Sequence, residues 1–333
     1  MKIAINGFGR IGRQIMHIIM QGNKDLEVVA INDLTDPSML ALLFEFDSTY
    51  GRYPGKVELK GSEMVVDGKA IKMFAEPDPT KLPWKDLGVD VVMECTGVFR
   101  TKEKANFHVQ AGAKKVIISA PAKGDEPVDA TIVMGCNEDI LTGDEVILSN
   151  ASCTTNCLAP IAKAIHDAFG IKRGIMTTIH AVTATQNVLD SPSKDPRRAR
   201  SCLQNIIPTT TGAAKAVGLV IPELKGKLTG MAVRVPTPTV SLVDLTVELE
   251  KDVTAEEVNN ALKKRAAEIP EILKVEDRPL VSKDFQKDSH SSIVDAMSTM
   301  VMEGNLVKVL SWYDNEWGYS SRMVDLAEYI FNK

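Results

Sequence analysis

Lys2-Ile-Ala-Ile-Asn-Gly-Phe-Gly-Arg-Ile-Gly12 decides the fold. A short apolar strand runs straight into G-x-G-x-x-G. The residues beyond it place Ile11, Ile15, Ile18 and Ile19 on one helical face. Leu26-Glu-Val-Val-Ala-Ile31 then reads as a second strand, closed by Asn32-Asp33. A lone glycine triplet says little. Between two strands, with an acid roughly 20 residues on, it is a dinucleotide fingerprint. Gly7 allows the tight turn. Gly9 lets backbone approach a pyrophosphate resting on the helix N-terminus. Gly12 lets the helix pack closely on the sheet. Asp33 can accept hydrogen bonds from both adenosine ribose hydroxyls and repels a 2′-phosphate, so NAD is expected over NADP.

Further short apolar runs follow. Val57–Leu59 and Met64–Val66, ended by Asp67-Gly68, read as a hairpin. Val89–Met93, Val116–Ser119, Thr131–Met134 and Val146–Leu148 read as strands, and 101–112 as a helix. A mostly parallel α/β sheet binds ligands at the carboxyl ends of its strands, which makes Thr96, Gly97 and Ser119 candidate cofactor contacts. A helix is expected up to Phe169-Gly170, with a kink or a late start because of Pro160. Ile175–Ile179 is a strand ending at His180, and 181–208 has no clean period. Such a long irregular stretch is usually functional or interfacial. A helix is expected over Ala213–Val220. Strands over Met231–Val235 and Val240–Leu249 suit an antiparallel sheet. Thr254-Ala-Glu-Glu257 starts a helix with a capping box. Ile293–Val301 and Leu306–Trp312 read as a hairpin, and Tyr319–Phe331 as a closing helix.

At 333 residues the chain is expected to form two domains. It is 44% apolar and carries a net charge of −5, so neither disorder nor a nucleic-acid or membrane partner is indicated. Five irregularly spaced cysteines, no signal-peptide pattern and no apolar run of membrane length predict a reducing, cytoplasmic setting.

The chemistry centres on Ser149-Asn-Ala-Ser-Cys-Thr-Thr-Asn-Cys157. Cys153 sits among small polar residues where a helix begins, and a helix N-terminus favours a thiolate. His180, alone among the histidines, ends an apolar strand before a loop, and it suits the general base. Cys157 shares the helix face of Cys153 but has no second ligand pair, so no metal site is expected. Cys157 reads as packing. Ser152, Thr154, Thr183, Thr211, Gly212 and Arg234 supply hydroxyls, a helix N-terminus and a guanidinium, the chemistry of a phosphate site. Arg197, Arg198 and Arg200 are either a solvated face with subunit salt bridges or a phosphate-recruiting loop. A nucleotide, a thiolate and a phosphate site together suggest aldehyde oxidation through a thioester that phosphate attacks.

Asn6–Arg13, Ala151–Cys157, Thr178–Thr183, Thr211–Ala216, Arg234–Thr237 and Trp312–Tyr319 closely resemble the phosphorylating glyceraldehyde-3-phosphate dehydrogenases, over essentially the whole chain. The resemblance implies an α/β fold. A Rossmann-type NAD domain takes residues 1–151 plus 315–333, because the C-terminal helix returns to it. A second α+β catalytic domain, built on a mostly antiparallel sheet, takes 152–314. It implies a homotetramer acting on glyceraldehyde 3-phosphate and inorganic phosphate, with Cys153 as nucleophile and His180 as base. Thr183 and Arg234 resemble the substrate-phosphate site. Ser152, Thr154, Thr211 and Gly212 resemble the attacking-phosphate region, with Arg198 between the two. Arg10, Ile11, Asp33, Ser119 and Asn315 resemble cofactor contacts. Pro77 stands where members often carry an arginine that reaches the cofactor, and Ser191 where some NAD-specific relatives have a bulkier apolar residue. A sister activity on erythrose 4-phosphate, lacking phosphorolysis, is the nearest alternative. Relatives of that kind tend to lose the Thr211–Lys215 run and the threonine at 183, both intact here. A redox-regulated NAD-binding protein with Cys153 as sensor is the other.

Overall fold

The computed structural model describes residues 1–22 and 25–333. The chain divides into two compact units, one of Met1–Ile132, Asp139–Ala151 and Ser320–Lys333, the other of Val133–Glu138 and Ser152–Tyr319.

The first unit is built on a nine-stranded sheet. Its strands are β1 (Lys2–Asn6), β2 (Glu27–Asn32), β3 (Val57–Lys60), β4 (Glu63–Val66), β5 (Lys69–Phe74), β6 (Val91–Glu94), β7 (Lys115–Ile118), β8 (Ala130–Thr131) and β9 (Ile147–Ser149). They lie in the order β8-β9-β7-β6-β1-β2-β5-β4-β3. Every pairing from β8 to β5 is parallel, and β3 and β4 complete an antiparallel edge. Strands buried on both faces need continuous apolar runs, which β1 and β6 supply. Helix α1 (Arg10–Gln21) follows β1, α2 (Pro37–Glu45) follows β2, and α3 (Lys102–Gln110) precedes β7. Trp84 and Val92 anchor a core under α3, whose N-cap Thr101 accepts from the Lys104 N–H.

Two of these elements escape the sequence reading. β5 exposes Lys69, Ala70 and Lys72, a largely polar run that hides the buried Ile71 and Met73. α2 starts at Asp36, whose side chain accepts from Ser38 and Met39, with Pro37 in the first turn. Its residues are apolar almost all round, yet only Leu40 and Phe44 are buried, so no clean period marks it. The strand expected at 131–134 shrinks to β8.

The second unit holds an eight-stranded sheet. It comprises β10 (Ile171–His180), β11 (Ile207–Thr210), β12 (Leu228–Arg234), β13 (Ser241–Leu249), β14 (Leu273–Glu276), β15 (Ser292–Asp295), β16 (Met300–Met302) and β17 (Leu306–Tyr313). The order is β11-β12-β10-β13-β17-β15-β14, and β16 pairs with β17. The sheet is mostly antiparallel. Within it β12 runs parallel to β10, and β14 parallel to β15. Along β13 the odd residues 241–249 are buried and the even ones lie more open, the period of a sheet with one covered face. Helices α4 (Cys153–Phe169), α5 (Ala213–Val220) and α6 (Ala255–Glu268) belong to this unit, and α4 packs on β13, β15 and β17. The expected capping box at Thr254 and Glu257 forms.

Three expectations change here. Pro160 lies inside α4, which nevertheless starts at Cys153, so the late start does not occur. The strand read over 293–301 breaks after β15, where Asp295 accepts from the Ser298 N–H and caps a 3-10 turn. Val133–Glu138 and 315–319, assigned above to the first domain, group with the second unit. The first segment is tied there by Arg265 Nη2, 2.7 Å from the Gly135 carbonyl oxygen. The closing helix α7 spans Trp317–Phe331. Among the described residues no helix is long and apolar enough to cross a membrane.

Candidate active site

The first unit places the glycine turn at the end of β1. Gly7 has φ +91°, and a Cβ there would meet the Thr96 nitrogen at 2.7 Å. At Gly12 a Cβ would meet the Gly7 carbonyl oxygen at 2.2 Å. At Gly9 a Cβ would meet nothing within 4 Å, and Gly9 caps α1 without a side chain. The turn therefore packs where it must and is bare where a ligand would approach. Asp33 accepts from the Phe8 N–H at 2.8 Å through Oδ2 and from the Thr35 N–H at 2.9 Å through Oδ1. The acid expected to meet a ribose also pins the loop.

A cavity of about 400 Å³ opens here, lined by Gly7, Gly9, Asp33, Glu76, Thr96 and Phe99 among others. Open space over a bare helix N-terminus, with the Asp33 carboxylate beside it, fits a dinucleotide. Arg10, Ile11, Gly12, Gly97 and Ser119 are not among the lining residues. The Arg10 guanidinium turns to Asp47 at 2.5 Å, and Asp47 also accepts from the Thr49 and Tyr50 N–H groups. Sequence reasoning missed Asp47, because nothing in its spacing ties it to the loop. It missed as well the buried chain beneath the cavity. There Glu94 accepts from Asn6 Nδ2 at 2.6 Å, and Asn6 Oδ1 accepts from Asn32 Nδ2 at 2.7 Å. The Trp84 indole N–H donates to His108 Nδ1 at 3.1 Å, which leaves His108 Nε2–H to donate to Glu94 at 3.0 Å.

The second unit brings Cys153, His180 and Arg234 together. Ala151, at φ +53°, turns the chain so that Ser152 caps α4, its Oγ accepting from the Thr155 N–H at 3.0 Å. Cys153 takes the first helical position. Its Sγ lies 3.5 Å from His180 Nε2. His180 ends β10 with Arg234 as its register partner on β12, so the parallel pairing sets the two side by side. The Ala181 carbonyl oxygen lies 2.7 Å from His180 Nδ1 and accepts from Arg234 Nη1 at 2.8 Å. The carbonyl can only accept and Arg234 Nη1, also 2.7 Å from Nδ1, can only donate, so the two neighbours compete for Nδ1; we assign the proton there, the tautomer that leaves the Nε2 lone pair toward the sulfur.

Burial, then the Arg234 charge, push the His180 imidazole down to about 3, so it rests neutral. Burial raises the Cys153 thiol. The Arg234 charge, the Thr154 side chain and the N–H groups of Thr154 and Cys153 pull it back without cancelling that. The N–H groups of the first turn thus favour the thiolate as expected, against the burial that opposes it. The sulfur needs the base beside it to take the proton.

Other expected residues are less direct. Thr154 is buried, its hydroxyl 2.8 Å from that of Tyr313, which also meets Thr178 Oγ1 at 2.8 Å. Arg198 donates through Nε to Thr209 Oγ1 at 2.9 Å and pairs with Asp195 at 3.5 Å. Thr183 lies 3.1 Å from Thr185, hydroxyl to hydroxyl. Thr211 Oγ1 accepts from the Ala213 N–H at 3.2 Å, beside Gly212, the N-cap of α5. Asn315 is buried and accepts through Oδ1 from the Ser241 hydroxyl at 2.9 Å. Cys157, fully buried, has its Sγ 3.7 Å from Ser292 Oγ and 3.6 Å from the Ser311 carbonyl oxygen, as expected of a packing residue.

A dinucleotide cradle in one unit and a thiol–imidazole pair in the other define the nucleotide-dependent oxidoreductases that work through a cysteine. Residues 1–102 match the family described as glyceraldehyde 3-phosphate dehydrogenase, NAD binding domain, and residues 152–315 match its C-terminal domain. The chain is 58% identical to the glyceraldehyde-3-phosphate dehydrogenases of Priestia megaterium and Geobacillus stearothermophilus, covering all of this chain and 98% of each relative. It is also 58% identical to glyceraldehyde-3-phosphate dehydrogenase 1 of Bacillus subtilis, with the same coverage. The chain belongs to the glyceraldehyde-3-phosphate dehydrogenase family and is an NAD-dependent oxidoreductase.

Proposed function

We propose that the protein oxidises D-glyceraldehyde 3-phosphate to 1,3-bisphosphoglycerate with NAD and inorganic phosphate, in the glycolytic or gluconeogenic direction. The observation that carries this is the 3.5 Å contact between Cys153 Sγ and His180 Nε2, with Arg234 beside the imidazole. The thiol proton passes to Nε2 and Sγ bonds to the aldehyde carbon. The resulting alkoxide takes the proton back and becomes a hemithioacetal. NAD, when bound, supplies the hydride acceptor. As hydride leaves carbon, His180 takes the hemithioacetal hydroxyl proton, and Cys153 carries a thioester. A phosphate oxygen then attacks the thioester carbonyl, the C–S bond breaks, and the sulfur departs as the leaving group.

In this reading Arg234 and Thr183 hold the substrate phosphate. Ser152, Thr154, Thr211 and Gly212 hold the attacking phosphate, and Arg198 serves both. Thr154 contributes its main chain more than its hydroxyl, which Tyr313 occupies. Gly7, Gly9, Arg10, Ile11, Gly12, Asp33, Ser119 and Asn315 hold NAD, Arg10 by its main chain because Asp47 takes its guanidinium. The cofactor domain is read as residues 1–151 with 315–333 and the catalytic one as 152–314, except that Val133–Glu138 and 315–319 pack with the catalytic unit. Asp33 makes the enzyme prefer NAD to NADP. The protein works in the cytoplasm as a homotetramer. The open face of the second sheet, with Ile175 and Met231 exposed, supports burial against another copy.

The test follows NADH on mixing protein, NAD and glyceraldehyde 3-phosphate with and without phosphate. Turnover that needs phosphate and falls roughly 10⁴-fold or more in Cys153→Ser is expected. Turnover indifferent to phosphate would point to a non-phosphorylating dehydrogenase instead.

A further inference from the structure

We infer that Glu94 is a positioning residue of the cofactor site. From beneath the cavity it sets Asn6 and Thr96, and through Thr96 the glycine turn, in the arrangement that receives the dinucleotide. The inference rests on the reading of that cavity as the cofactor's, and its geometry lies entirely in the first unit.

Asn6, Asn32 and Glu94 end three adjacent parallel strands, β1, β2 and β6, and Asn6 stands in register with both of the others. Glu76 follows β5, the next strand along. Ligands of open α/β sheets sit at such carboxyl ends. Asn6, Asn32, Glu76 and Thr96 all line the cavity. Glu94 and His108 are fully buried behind them.

Groups that can only donate or only accept direct the hydrogen bonds of this layer. The Glu76 N–H lies 2.9 Å from Asn32 Oδ1, and the Glu76 carbonyl oxygen 2.9 Å from Asn32 Nδ2. Together they orient the Asn32 amide. Asn32 Nδ2 then needs an acceptor on Asn6, which is Oδ1 at 2.7 Å, so Asn6 Nδ2 is left to donate to Glu94 Oε2. From the other side the Trp84 indole can only donate, so His108 Nε2 carries the proton and gives it to the same oxygen. On Oε1 Glu94 accepts from the Thr96 N–H at 2.8 Å and meets the Thr96 hydroxyl, which accepts in turn from the Val98 N–H at 3.0 Å. The Thr96 nitrogen is also the atom that a Cβ on Gly7 would meet at 2.7 Å. The oxygen that holds this N–H therefore sets how closely the loop after β6 lies on the glycine turn. Glu94 must accept at both ends. A glutamine of the same shape turns its NH2 either on the Thr96 N–H or on the two donors at Oε2, and one obligate donor loses its acceptor either way. The requirement is for a carboxylate and not for a shape.

The test measures NAD binding by isothermal titration calorimetry on variants whose circular dichroism matches wild type. Glu94→Gln should weaken NAD by about tenfold and raise KM for NAD to match. KM for glyceraldehyde 3-phosphate and the rate at which iodoacetamide alkylates Cys153 without NAD should stay as they are. A role in stability alone would lower the urea midpoint and leave NAD binding where it was, which overturns the inference. Gly9→Ser enters the cavity without touching the partners of Glu94, and it tests the reading beneath. If Gly9→Ser binds NAD as tightly as wild type, the cavity is not the cofactor's and the inference falls with it. If Gly9→Ser weakens NAD and Glu94→Gln does not, the inference alone is overturned. Should Glu94→Gln fail to fold, His108 decides. His108→Gln keeps an acceptor for Trp84 and a donor for Glu94, and should bind NAD within about twofold of wild type. His108→Leu keeps neither and should bind NAD about three- to tenfold more weakly. Equal affinities in these two variants overturn the inference.

Discussion

Helices α1 and α4 both begin where a strand ends, and they finish their N-termini in opposite ways. α1 is capped by Gly9, which offers no side chain and leaves open space where one would be. α4 is capped by Ser152, whose hydroxyl takes the Thr155 N–H and fixes the first turn. The same orphan N–H groups and the same dipole serve two ends. Where an anion must sit, the protein supplies no competing oxygen. Where a nucleophile must be held, it supplies one and leaves the N–H groups of Cys153 and Thr154 to the sulfur. A helix N-terminus is thus not one kind of site; the cap decides what it can do.

The largest effect expected on this contrast comes from the base that the capped end requires. His180→Asn should lower kcat by roughly 10²- to 10⁴-fold. It also carries a stability signature. The folded pKa, about 3, lies below the ordinary 6.5, so the unfolded chain binds the proton more readily between those values. The stability that the neutral imidazole preserves is complete above pH 6.5 and declines as pH falls toward 3. Urea unfolding at pH 7.5 and pH 5 should show wild type losing more stability than His180→Asn; equal losses would place His180 outside the buried pair. A smaller effect separates dipole from charge. Arg234→Gln removes the leading group that pulls the Cys153 thiol down, so the thiol should titrate higher. Alkylation of Cys153 by iodoacetamide at pH 7 should slow by roughly 3- to 10-fold. An unchanged rate would mean that the first turn of α4 suffices without Arg234.

The parts legible in the sequence are those in which neighbours along the chain do the work. The Gly7–Gly12 turn, the Thr254 capping box and the start of α5 after Gly212 are local, and all three stand as read. The parts missed depend on pairings made far along the chain. Asp47 holds Arg10 from 37 residues away, and Glu94 reaches Asn6 across 88. Ser241 meets Ala181 across 60 residues and Asn315 across 74. The parallel pairing of β10 with β12, which sets His180 beside Arg234, is likewise invisible to a period-2 pattern, since alternation reports a covered face and not the direction of the neighbour. Cys153 is legible as a nucleophile and the burial that raises its thiol is not, because burial is a property of the packed chain.

The smallest effects test the contrast most directly, by exchanging the caps. Ser152→Ala should cost about 1 kcal/mol of stability, because the Thr155 N–H loses its acceptor in a buried first turn. Gly9→Ser runs the other way. The backbone at Gly9 has φ −74° and ψ −155°, an ordinary extended geometry for an N-cap, and the new Cβ meets no atom. A serine there can cap α1, and the gain over glycine should be only a few tenths of a kcal/mol. Calorimetry should therefore find Gly9→Ser at least as stable as wild type. Titration should find it weaker for NAD, because the hydroxyl now occupies the N–H groups and the space kept for a pyrophosphate. A variant that gained stability and bound NAD as tightly as before would break the comparison at its root. Gly9 would then be bare for the sake of the turn alone, and the difference between the two helix starts would carry no function.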